Sequence, residues 1–200
     1  MQHSAACSGD FQASGAALMA QYAALCRYCD QAFAAALGRY PDHMQCANGC
    51  ASCCILETVA PLEAAVIAAH LAAAGPPVMP ARAAHQCVFL DRAASCAVYP
   101  VRPIICRTHG MPLQYPEMET LDICPLNFSD QHPLDIEPQY ALDAERIAAN
   151  LLRLNLAFCM LMDCREAAGE RIPLADLLAP SQHRFPILSR FLESGLAREK

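Results

Sequence analysis

Residues 45–54 read QCANGCASCC, which sets four thiols, Cys46, Cys50, Cys53 and Cys54, inside nine residues. A disulfide needs two cysteines at a fixed separation, and the adjacent pair Cys53 and Cys54 would close only a strained ring. A soft metal ion or an iron-sulfur cluster instead takes three or four thiolates converging from short turns. The stretch therefore points to metal. If residues 46–53 are helical, Cys46, Cys50 and Cys53 share one face at i, i+4 and i+7, with Cys54 turned away by about 100°. Asn48 and Gly49 allow a sharper left-handed bend instead, since glycine carries no Cβ to clash there and asparagine tolerates that region. Either geometry gathers the ligands.

Upstream, residues 14–37 predict an amphipathic helix, with Met19, Tyr22, Cys26, Cys29 and Phe33 spaced by threes and fours and with Gly38 and Pro41 to end it. Downstream, Pro61 opens a second helix over residues 62–74, with Glu63 favourably placed in its first turn, and Gly75, Pro76, Pro77 and Pro80 break it. From Cys87 to Cys124 short apolar pieces alternate with turn residues. Residues 87–90 and 96–99 predict a small hairpin around 91–95, although no turn glycine is present. A connector near Pro133 and Pro138 leads to the longest predicted helix, 139–167. Its stripe is Tyr140, Ala144, Ile147, Leu151, Leu154, Phe158 and Leu161. Two shorter helices are predicted at 174–178 and 183–192. The fold class expected is mainly α: a single domain over residues 1–200, with helices clasping an irregular, cysteine-bearing layer (46–125) that holds at most a small β-hairpin. The N-terminal helix spans 14–37 and the C-terminal helices 139–195.

Composition narrows the function classes. Two hundred residues can bury a core without a metal merely to stay folded. A net charge of −6 with only 14 Lys plus Arg argues against nucleic acid, which requires a basic face. No apolar run approaches the roughly 18 residues of a membrane span, so no membrane partner is expected. The start, MQHSAACSGD, shows neither the basic nor the apolar part of a secretory signal, and 13 cysteines cannot all pair. A reducing, cytoplasmic setting is expected, which favours ligation over disulfides.

A second set of cysteines, Cys87, Cys96, Cys106 and Cys124, has gaps of eight, nine and seventeen intervening residues. With the first four cysteines, with CVFL at 87–90, and with Tyr99, Arg102, Pro103, Arg107 and Pro125 in the runs around them, this pattern resembles the YkgJ-type cysteine-cluster family, described as zinc- or iron-chelating. The resemblance covers roughly residues 46–125. It implies chelation of a metal ion by Cys46, Cys50, Cys53, Cys54, Cys87, Cys96, Cys106 and Cys124, with no settled reaction. The family usually carries a glycine in the turn before Cys96, where this chain has Ala94 and Ser95. Eight thiolates suit two tetrahedral sites, or one four-iron, four-sulfur cluster with thiols to spare. Arg102 and Arg107, flanking Cys106, are the candidate cofactor-binding residues: they would offset the negative charge and donate hydrogen bonds to sulfur.

His43 and His109 lie within ligand reach by spacing, but a solvated or capping role is the plainer expectation for each. Cys26, Cys29, Cys159 and Cys164 fall on helices and are expected to pack as small apolar groups, with Cys7 in a tail. The function expected is chelation of zinc or iron, an iron-sulfur cluster included. The alternatives are an iron-sulfur oxidoreductase or maturation enzyme and a Cu(I) store built from helix cysteines. The C-x3-C-x2-C triplet also occurs in radical-SAM enzymes. Those place it after the first strand of a barrel and leave one iron open, and Cys54 would tend to close that position. No catalytic grouping of Ser, His and Asp stands out.

Overall fold

The computed structural model describes residues 2–47, 49–75, 77–80, 86–130, 135–178 and 184–198. Helix α1 runs over Gln2–Arg39 and so begins well before residue 14. Its opening residues lack an apolar period, which hid them from the pattern, but they contain no proline to prevent a helix. Leu18, Tyr22, Cys26, Cys29 and Ala36 make its buried stripe. Gly38 is carried inside the helix, and Pro41, which has no N–H to donate, follows its end. Cys7, expected in a tail, has its backbone within α1.

Helix α2 (Pro61–Ala74) opens at Pro61 as expected, and nearly all of its first turn is buried. Gly75 follows at φ +81°, while Pro76, one of the expected breakers, lies outside the described residues. The hairpin reduces to one antiparallel bridge, Leu90 with Cys96, supported by Ala97 N–H donating to the Phe89 carbonyl at 2.8 Å. Its missing glycine is answered by Ala94, which itself takes the left-handed conformation at φ +58°. Asp91 Oδ1 steadies the turn by accepting from the N–H groups of Ala93 and Ser95. Helix α3 (Ile104–Thr108) carries Cys106.

The helix expected over 139–167 is shorter, α4 spanning Ala144–Leu161. Before it, Leu142–Asp143 (β3) pairs in parallel with Leu113–Gln114 (β2), so the backbone there finds its partners outside the helix. The Asp143 side chain then caps α4 by accepting from Arg146 N–H at 2.8 Å. Past Leu161 the chain turns through Asp163 at φ +53° into a 3-10 segment, Arg165–Gly169. Ile147, Leu154 and Phe158 of the expected stripe are buried. Thr58–Val59 (β1) pairs antiparallel with Ile172–Pro173 (β4). Leu174–Leu178 forms a 3-10 helix, and helix α5 spans Pro186–Glu193. Pro133 and His183 lie outside the described residues.

The architecture is mainly α, with two short two-stranded ladders among the described residues. Phe158 of α4 and Phe191 of α5 meet edge to face at 5.4 Å, both at 1% exposure or less. Burying each contributes about 1.5–3 kcal/mol relative to leaving it in water. Cys26, Cys29, Cys159 and Cys164 are all buried in the core as expected, although Cys164 lies past the end of α4 rather than on a helix.

Candidate metal centre

The cysteine layer sits where α1, α2 and α3 meet a set of loops. The described residues between Met44 and Glu57 are not helical. Gly49 bends the chain at φ +91°, while Asn48 lies outside the described residues. Two turn hydrogen bonds, Cys50 N–H to the Ala47 carbonyl and Cys54 N–H to the Ala51 carbonyl, each 3.0 Å, fold the loop on itself. Cys87 N–H donates to the Cys54 carbonyl at 2.8 Å and joins this loop to the hairpin turn. All eight thiols of the two sets are partly exposed, neither sealed in the core nor free on the surface.

Electrostatics sorts these thiols into two neighbourhoods. Burial pushes the Cys46 thiol up, and the nearby thiols of Cys124, Cys50 and Cys53 push it further. Burial likewise pushes Cys106 up to about 12, with Cys87 and Cys96 the next contributors. Cys96 is raised by burial and by Cys87. Cys54 is lowered, chiefly by a hydrogen bond from Cys53, while Cys106, Cys87 and Cys96 oppose the shift. Cys46 thus has Cys50, Cys53 and Cys124 as neighbours and Cys106 has Cys87, Cys96 and Cys53, so Cys53 belongs to both neighbourhoods. They meet at the adjacent pair, where the hydrogen bond to Cys54 holds the Cys53 thiol at about 12 against an opposing hydrogen bond from His109.

Two further residues shape the surroundings of Cys46. Asn127, 3% exposed, accepts from Gln45 N–H on its Oδ1 at 2.8 Å. Its Nδ2 donates to the Gly110 carbonyl at 2.7 Å and to Cys46 Sγ at 3.2 Å. An amide donor on a thiolate sulfur disperses its charge, as sites of this kind require. Gly110, at φ +91°, gives Cys46 its room. Neither was anticipated. Gly110 closes the CRTHG run after Cys106 and could have been marked as a turn glycine, whereas nothing in the sequence singles out Asn127.

Arg102 and Arg107 were expected to donate to sulfur, but their recorded hydrogen bonds go elsewhere. Both guanidinium groups turn to Asp30 of α1, Arg102 at 2.6 Å. Arg107 also donates to the carbonyls of Arg102 and Pro100, and Arg102 stacks over the Tyr99 ring at 4.1 Å. A charged carboxylate satisfies guanidinium donors better than a thiol does, and Asp30 serves both, Oδ1 accepting from Arg102 and Oδ2 from Arg107. Arg102 still reaches the site through space, where its charge lowers the Cys96 pKa. Glu63, read from sequence as a helix-start charge, is 3% exposed and braces α3. Its Oε1 accepts from Ile104 N–H at 2.9 Å and its Oε2 from Ala60 N–H at 3.3 Å.

The histidines part company. His43 Nδ1 pairs with Asp130 at 2.9 Å and its ring stacks on Phe128, so it is engaged away from the thiols. His109 stands beside Cys53, and the two line a cleft of about 270 Å³ with Cys124, Ser52 and Asp122.

The donor set fits a soft or borderline cation: half-buried thiols that burden one another with charge, and an amide already placed on sulfur. Among the described residues, no three Cys, His, Asp or Glu side chains are drawn together tightly enough to hold an ion as they stand. Comparison with family models matched residues 45–125 to CxxCxxCC, described as a "putative zinc- or iron-chelating domain". Over those residues the chain is similar to that family. The match spans all eight clustered cysteines and ends just short of Asn127. Neither the curated proteins nor the solved structures compared with the chain gave a match. No helix among the described residues is long and apolar enough to cross a membrane.

Proposed function

We propose that this protein chelates zinc or iron through its eight clustered cysteines, four to a site: Cys46, Cys50, Cys53 and Cys124 at one, Cys54, Cys87, Cys96 and Cys106 at the other. The observation that carries the chelation is the match of residues 45–125, which hold all eight cysteines, to a domain described as zinc- or iron-chelating. The grouping is supported by the cleft that Cys53 and Cys124 share and by the backbone hydrogen bond from Cys87 to Cys54. Four thiolates about a divalent ion leave a net charge of about −2, and the nearby guanidinium of Arg102 offsets part of it at the second site. The reading extends to residues 1–200 as one domain in a reducing compartment, with α1 supplying Asp30 to the arginines beside Cys106.

Anaerobic purification followed by metal analysis and an absorption spectrum tests it. The expected result is zinc or iron at up to two equivalents per chain, or a brown protein if the metal is an iron-sulfur cluster. A folded, colourless protein that neither retains nor takes up either metal would overturn the proposal.

A further inference from the structure

The two cysteine groups differ in how they meet solvent and in how their backbone is braced. The first opens on the cleft of about 270 Å³, whose wall holds two of its four thiols, Cys53 and Cys124, together with the His109 side chain. Three of its cysteines ride on the 44–57 loop and the fourth on the loop after β2, so the thiols are carried by irregular backbone. The second group shares that loop through Cys54, but its other three cysteines are set on cross-braced pieces. Cys106 belongs to α3, which Glu63 holds through Ile104 N–H and Asp30 holds through Arg107. Cys96 is in the bridge with Leu90, and Cys87 is tied to Cys54 through their backbones. A cleft of about 390 Å³ beside the hairpin turn touches this group at Cys87 alone.

We infer that the first group is the exchanging metal site, loading and releasing a divalent soft or borderline cation through the cleft, while the second group holds its ion as part of the framework. This rests on the proposed chelation and goes beyond it by assigning different work to the two groups. Release from a thiolate site requires an incoming ligand to approach the metal while one thiolate swings away. At the first group the cleft admits the ligand, and Cys53 or Cys124 can swing into it. His109, beside Cys53 on the same cleft wall, could take the place that a departing thiolate leaves, so a four-ligand site need not fall to three during exchange. The step is a ligand substitution: one metal–sulfur bond breaks as one bond to the incoming donor forms, and the freed thiolate takes up a proton from water.

The test is competition for zinc. The full-length protein, reconstituted anaerobically with zinc alone to two equivalents, is mixed with excess of a chromophoric chelator, and release is followed with time. The expected result is two phases of one equivalent each, with rates at least about tenfold apart, of the size that changes around a metal produce. Cys124→Ser should abolish the fast phase and leave the slow one, Cys96→Ser should do the reverse, and His109→Ala should change only the fast rate. Circular dichroism checks that each variant is folded. If a cysteine variant does not fold, the His109→Ala rates decide the matter. Two equivalents leaving in one phase, or His109→Ala altering the slow phase, would overturn this inference and leave chelation standing. Failure to bind any zinc would overturn chelation itself.

Discussion

A Cβ placed on Gly110 would stand 2.5 Å from Cys46 Sγ, closer than any real carbon–sulfur contact, and the residue's φ of +91° disfavours a side chain in any case. The turn after α3 therefore presses directly on the first cysteine of the cluster. Gly110→Ala should cost about 2–4 kcal/mol from backbone strain together with overlap. Some of that cost should appear as displacement of Cys46. Urea unfolding of the metal-free variant gives the first quantity and zinc titration the second. A variant with unchanged stability and unchanged zinc uptake would show that the contact is not tight in solution.

Asp30 answers two arginines at once, and Arg107 is only 6% exposed. Replacing it as Asp30→Asn leaves a buried guanidinium without its counter-charge. Removing one partner of a fully buried pair costs about 3–5 kcal/mol, and because Asp30 itself is 37% exposed the expected loss is smaller, about 2 kcal/mol. The double variant Asp30→Asn with Arg107→Met should recover only part of it, since the more buried guanidinium is gone while Arg102 still lacks the carboxylate. A double-mutant cycle by chemical denaturation reads the coupling, and strict additivity would count against the pair.

Ala94 holds a left-handed backbone at φ +58°, a conformation that costs a side-chain-bearing residue about 1–2 kcal/mol. Ala94→Gly should therefore raise stability by about 0.5–1 kcal/mol once glycine's greater freedom in the unfolded chain is subtracted. Ala94→Val should lower it. Melting temperatures of the two variants rank them, and the opposite order would dismiss strain at this turn.

Cys29 and Cys159 are fully buried thiols that burial pushes up to about 11, from an ordinary value of 9.0. The folded chain keeps these protons where the unfolded chain would lose them. Their contribution is therefore complete below about pH 9 and disappears as pH rises through about 11, on the order of 2 kcal/mol for each. Denaturation midpoints of the metal-free protein should fall across that alkaline window. Cys29→Ala, though less stable at neutral pH because of the space it leaves, should show a shallower fall. An identical pH profile would remove this thiol from the account.

Much of the fold is legible in the sequence. Pro61 marked the start of α2 because its ring suits a first helical turn, and the periodic stripe through Ile147, Leu154 and Phe158 found the buried side of α4. The ends of helices were less legible. Residues ahead of Ser14 follow no apolar period, and Leu142 leaves the helical pattern because the strand at Leu113, twenty-nine places back along the chain, claims its backbone. At the metal layer, thiol spacing marked the donors but said nothing of their grouping, which depends on Cys124 returning to Cys46 across a long stretch of chain. Arg102 and Arg107 stood where the motif places them. Their partner did not declare itself, because Asp30 lies on a helix far upstream and an exposed-looking aspartate carries no sign of what it faces.

The reach of Asp30 and Asn127 has a practical corollary for anyone trimming this chain. A fragment cut to the boundaries of the recognised signature, residues 45–125, would keep every sulfur ligand yet lose the carboxylate that answers Arg107 and the amide that rests on Cys46. The smallest piece worth expressing is thus set by its outermost supporting contacts rather than by its outermost cysteines, and it begins on α1 and extends past Asn127.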